Sequence, residues 1–139
     1  GWEVDLAIAR ILILEKQFNG ARALIEKLPD GKGRDHGLAL LYQGLGRKNE
    51  ADAAVKRLVG ESTDSPDIQL AEVHAFRGSV DAAFEALRGL QVAINRDEAA
   101  LVSQVWSWQL ELRVSPFLKP LHADPRWQAL LVEPTSAGS

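Results

Sequence analysis

The stretch from Gly37 to Leu58, GLALLYQGLGRKNEADAAVKRL, decides how this chain is read. Leu38, Ala39, Leu41, Tyr42 and Leu45 recur at helical spacing up to Gly46, a residue suited to the left-handed conformation that ends a helix. Lys48 to Val59 returns as a second helix, and the turn over Gly46, Arg47, Lys48 and Asn49 is short enough to set the two antiparallel. Ala39 and Ala51 are the small residues that let two helix backbones approach closely where they cross.

The same columns recur on both sides of this stretch. Ala9, Ala39 and Ala71 stand 30 and 32 residues apart, and Ala21, Ala51 and Ala83 repeat those intervals. Ile25, Val55 and Leu87 move with them, as do Leu28, Leu58 and Leu90. Such a period marks helical hairpins, each too small to bury its own apolar face and so packed on a neighbour. Three hairpins are expected, over residues 2–29, 35–59 and 66–95. The first has a helix from Trp2 to Lys16, with Val4, Ile8, Ile11, Leu12 and Leu14 near helical spacing, and a second from Phe18 to Leu28 that stops at Pro29. Asp35 reads as the N-cap of the second hairpin. In the third, Ser65 before Pro66 signals the start, and the chain turns at Gly78 and Ser79.

Past Leu90 the period stops. Residues 96–133 are expected to cap the open end: a helix from Asp97 to Trp108 with Leu101, Val105 and Trp108 on one stripe, then an extended Leu110–Val114. A single turn from Pro116 to Leu121 and a short helix from Pro125 to about Leu131 follow. Trp106, Trp108, Phe117 and Trp127 are expected to cluster as its core. Residues 134–139 are expected to be disordered.

The chain has 139 residues, enough for one well-buried domain, and its net charge is −3 without cysteine. That charge argues against direct contact with nucleic acid, which draws on clustered lysine and arginine. The longest apolar run, Ile11 to Leu14, is far too short to cross a bilayer. Glu61, Asp64, Asp67 and Glu72 lie between Arg57 and Arg77 with no base among them, and read as a solvated loop and helix face rather than a docking patch for a basic partner. His36, His74 and His122 have no metal-ligand spacing, and Gly31, Gly33 and Gly37 read as turn residues because no strand-to-helix context makes them a phosphate loop. No catalytic residue, cofactor or metal is expected.

The 37–58 stretch also resembles the tetratricopeptide repeat. Leu38, Ala39, Tyr42, Gly46, Ala51, Val55 and Leu58 fill the repeat's large, small, aromatic, turn-glycine, alanine and apolar places. Leu70, Ala71, Gly78, Ala83, Leu87 and Leu90 match in the third segment, with His74 at the aromatic place. Ile8, Ala9, Ala21, Ile25 and Leu28 match in the first, where Lys16 replaces the glycine and Leu12 the aromatic. Asp5, Asp35 and Asp67 stand where the family has a tryptophan. The tail SPFLKPLHADPRWQALL, through Phe117, Leu121, Asp124, Pro125, Arg126, Trp127 and Leu130, is similar to the segment closing such regions at the C-terminus of bacterial multidomain signalling proteins.

The resemblance implies an all-α superhelix of three hairpins plus a cap, the regulatory or sensory end of a longer bacterial protein whose effector part lies upstream. It implies a concave groove lined by Leu6, Arg10, Ile13, His36, Leu40, Gln43, Ile68, Glu72 and Ala75, suited to a peptide or protein segment with apolar anchors. Ala7, Leu40 and Glu72 stand where a clamp for C-terminal carboxylates would have lysine or asparagine. The expected function is a non-enzymatic interaction scaffold in the cytoplasm, with the periplasm as the alternative compartment. The competing function is homo-oligomerisation through Trp2, read as an exposed end where further protein packs, or through the acidic segment Glu61, Asp64, Asp67 and Glu72.

Overall fold

A computed structural model describes residues 1–62, 67–88, 90 and 102–131, of which 102–107 are described by their backbone alone. The chain is all-α, with no strand among the described residues: α1 (Trp2–Leu14), α2 (Phe18–Glu26), α3 (Lys32–Gly44), α4 (Lys48–Glu61), α5 (Ile68–Phe76), α6 (Val80–Ala86) and α7 (Val102–Val114), then a 3₁₀ segment (Pro116–Leu121) and α8 (Pro125–Gln128). The chain divides into two compact units, Gly1–Thr63 and Asp64–Ser139. The first holds the hairpins α1/α2 and α3/α4, and α3 packs on both α1 and α2. The second holds the α5/α6 hairpin with α7, the 3₁₀ segment and α8.

The alanine columns are wholly internal. Ala9, Ala39, Ala71, Ala21, Ala51 and Ala83 are all completely buried. Ile25, Leu87, Leu28, Leu58 and Leu90 are buried too, whereas Val55 is half-exposed. The turns repeat in the same register. In α1 the N–H of Lys16 donates to Ile13 O and that of Gln17 to Leu12 O; Gly46 and Arg47 do the same to Gln43 and Tyr42, and Gly78 and Ser79 to Ala75 and His74. This pair of bonds closes each helix with one left-handed residue, at φ 62° for Lys16, 75° for Gly46 and 80° for Gly78. Only glycine takes that conformation without a clash between Cβ and the following carbonyl. Lys16→Gly is therefore expected to stabilise the first unit by about 0.5–1 kcal/mol, the relief of strain exceeding glycine's entropy cost. Urea denaturation showing no gain would reject that account of the turn.

Several boundaries differ from those read in the sequence. The α3 helix begins at Lys32 after Gly31, three residues before the expected cap at Asp35. Gly33 and Gly37 are thus helical rather than turn residues, and what selects them is close packing. A Cβ on Gly33 would stand 2.6 Å from Trp2 Cζ3, and one on Gly37 would stand 3.1 Å from Ile25 Cγ1 and 3.3 Å from Leu6 Cδ1. Further along the same face, a Cβ on Gly44 would stand 2.6 Å from Phe18 Cε1. Leu110–Val114 is the last part of α7, not an extended connection. Leu112 is buried while Leu110 and Val114 are exposed, so the apparent alternation is a helix with one face in the core.

Helix α5 is capped by Asp67, whose Oδ1 accepts from the Leu70 N–H at 3.0 Å. The expected start at Ser65 and Pro66, the end of the third hairpin near Asn95, residues 97–101, the Val105 and Trp106 side chains, and the tail 134–139 lie outside the described residues. The 3₁₀ segment and α8 occur where Ser115-Pro116 and Asp124-Pro125 place them, with Asp124 Oδ1 accepting from the Arg126 N–H at 2.9 Å.

Candidate functional site

The residues read as a groove lining divide between the units: Leu6, Arg10, Ile13, His36, Leu40 and Gln43 belong to the first, and Ile68, Glu72 and Ala75 to the second. Leu6, Ile13, His36, Leu40, Glu72 and Ala75 are buried, leaving Arg10, Gln43 and Ile68 partly exposed. Six of the nine therefore present no open surface. The periodic reading placed them correctly on the first helices of the hairpins but could not tell a lining from a core.

The acidic segment also differs from the solvated face expected of it. Glu72, on α5, accepts from Ser115 Oγ at 2.5 Å, with both residues buried, which fastens the start of the 3₁₀ segment to that helix. Ser115→Ala leaves the buried Glu72 carboxyl without this hydrogen-bond donor and is expected to cost about 1–3 kcal/mol. A thermal melt indistinguishable from that of the parent would show that the contact is incidental. Asp67 is the α5 cap, and Asp64 lies outside the described residues. Glu61 joins a polar cluster in the first unit, where Arg57 Nε donates to the buried Asp35 at 2.9 Å. A hydrogen bond with Asp35 raises the Glu61 carboxyl above its ordinary range, with desolvation and the Asp35 charge adding and Arg57 and Lys32 opposing.

In the second unit, Ala71, Ala75, Ala83, Leu87 and Leu90 share one core with Leu112, Leu118, Leu121, Trp127 and Leu130. Of the expected aromatic residues, Trp127 lies in that core, Trp108 packs against it and Phe117 meets Phe76 edge-on at 5.3 Å, while the Trp106 side chain lies outside the described residues. Gln109 Nε2 donates to Leu130 O at 2.8 Å. Arg126 donates to Asp124 and to Asp81 of α6, at 2.8 Å in the second case, and lies over the Phe84 ring at 4.3 Å. Its hydrogen bonds to Asp124 and Asp81 raise the guanidinium further above its already high range. These polar residues tie α7 and α8 in place. His122 stacks on Trp127 at 4.5 Å, and burial, with Arg77 adding, lowers the half-buried His74 below the usual imidazole range. Among the described residues no three His, Cys, Asp or Glu converge as metal ligands, and no helix is long and apolar enough to cross a membrane.

One surface stands apart from these internal contacts. Helix α1 buries Leu6, Ala9 and Ile13, yet its opposite side is also apolar. Val4, Ala7, Ile8 and Ile11 follow the i, i+3, i+4, i+7 pattern, with Leu14 continuing it, and all five are exposed: Val4 by 59%, Ile8 by 43% and Ile11 by 54%. The sequence showed this stripe, but α1 is apolar on two sides and periodicity alone could not say which one faces the core. Trp2, read as an exposed end, is 41% exposed and rests partly on Gly33.

No family model matches the chain, and neither a curated protein nor a solved structure matches it. The likeness to tetratricopeptide repeats rests on the residues of this chain.

Proposed function

We propose that the chain is a non-catalytic interaction module built from tetratricopeptide-like hairpins, and that it holds a protein partner on the outer side of α1. The observation that carries this reading is the exposed arc Val4, Ala7, Ile8, Ile11 and Leu14, an ordered apolar helix face of the kind that marks protein contact sites. It replaces the groove as the site, because most of the groove residues are internal. The superhelical arrangement, the bacterial signalling setting and the cytoplasmic location belong to the same proposal, and their support is the repeat pattern and the SPFLKPLHADPRWQALL tail.

A photo-crosslinking residue at Ile11 identifies the partner, which is then purified and titrated by calorimetry against the parent and against Ile8→Asp/Ile11→Asp. Both positions are exposed, so the fold is expected to survive, and the affinity is expected to drop at least about 10-fold. Undiminished binding rejects the site. Loss of binding in Arg10→Glu/Gln43→Lys instead returns it to the groove side.

A further inference from the structure

The packing of α1 and α2 on α3 offers a comparison for the face that α1 leaves open. At the 30-residue interval, Glu3, Val4, Ala7, Ile8, Ile11 and Leu14 of α1 correspond to Gly33, Arg34, Gly37, Leu38, Leu41 and Gly44 of α3. On α3, all six positions are at least partly buried. Trp2 lies on Gly33, Leu6 and Ile25 on Gly37, and Phe18 on Gly44, so both helices of the preceding hairpin contribute. Arg34 Nη1 donates to Glu26 O and Leu28 O at the end of α2, and Leu41 is fully buried. From this correspondence we infer that the outer face of α1 takes an antiparallel helical hairpin of the partner, seated as α1 and α2 seat on α3. The inference rests on the reading of that face as an interaction surface and adds the occupant.

The substitutions between the two faces specify its chemistry. Ala7 stands where α3 has Gly37, so the residue equivalent to Ile25 has slightly less room, and the smaller Val suits it. Leu14 fills the space that Gly44 leaves for Phe18, so the hairpin carries a small residue there rather than an aromatic. Glu3 replaces Gly33, which removes the platform for a tryptophan and offers a carboxylate to a lysine or arginine of the hairpin. A second copy of this chain meets none of these demands with its own α1 and α2, which present Phe18 and Trp2. Nor are α5 and α6 open for the role, since their core is closed by Leu112, Leu118, Leu121 and Trp127.

The test places a second copy of residues 2–31, carrying Trp2→Lys, Phe18→Ala and Ile25→Val within the copy, directly ahead of Trp2 in the full chain, which keeps the 30-residue interval. Docking is expected to raise the Tm by about 5 °C or more and to slow hydrogen exchange at α1 amides. The same fusion with Ile8→Asp/Ile11→Asp in the original α1 is expected to lose both effects. An unchanged Tm and unchanged α1 exchange in the first fusion overturn the inference, and so does dimerisation of the unfused chain through α1 that Ile11→Glu abolishes. Either result leaves the titration of the purified partner to decide separately whether α1 is an interaction surface.

Discussion

Replacing Trp127 by alanine is expected to cost about 3–5 kcal/mol, the range for removing a large aromatic from a packed core. The side chain is 4% exposed and stands among Ala83, Leu87, Leu90 and Leu121. It also supports His122 and lies in the helix whose Arg126 bridges to Asp81. Its loss leaves the small residues of α5 and α6 facing a void that flanking helices cannot fill without moving. Hydrogen exchange should then show lowered protection in α5 and α6. Trp2→Ala is the control: that ring is 41% exposed and its loss is expected to cost only about 1–2 kcal/mol. Equal costs for the two tryptophans would contradict the assignment of the tail as a cap.

Ile25→Ala is expected to cost about 2–5 kcal/mol, with the size set by how far the cavity collapses. Its informative partner is Gly37. On its own, Gly37→Ala gains about 1 kcal/mol of helix propensity but crowds Ile25 and Leu6, so the net effect is destabilising by about 0–2 kcal/mol. With Ile25 already truncated the main obstacle is gone, and the added methyl both fills space and favours the helix. The double variant is expected to recover about 1 kcal/mol of the Ile25→Ala loss. Simple additivity in a denaturation cycle would mean that the α2/α3 contact relaxes freely and that the glycine is not chosen for fit. Val55→Ala, in the same column but half-exposed, is expected to cost less than Ile25→Ala in either background.

How much of this was legible follows from what each residue type can signal. The alanines at 9, 39, 71, 21, 51 and 83 specified the internal columns because a small residue recurring among larger ones has few reasons other than close approach. Gly46 and Gly78 marked the turns, and the interval carried the same turn to Lys16 although lysine gives no such signal. Glycine misled at positions 33 and 37: it is usually punctuation between helices, and only the ring of Trp2 and the side chains of Ile25 and Leu6 explain its place inside α3. The site was harder still. Val4, Ile8 and Ile11 and their buried opposites Leu6, Ala9 and Ile13 are equally apolar and equally spaced, so the choice between core and surface lies in where α3 packs, a tertiary fact. Glu72 looked like a solvated charge because its partner Ser115 is 43 residues away in sequence.

The spacing of the alanine pairs also sets a timetable for assembly. In each hairpin the two columns lie 12 residues apart, so the first apolar contacts close short loops at little entropic cost. Chains dominated by such local contacts fold in microseconds to milliseconds. The α1/α2, α3/α4 and α5/α6 pairs are therefore the early events. Trp127 reaches a core whose Ala83 lies more than 40 residues back, and so it arrives late. Until it does, α5 and α6 expose their small-residue face, and the interval between hairpin closure and arrival of the tail is when a chain emerging from the ribosome is most open to capture by other proteins.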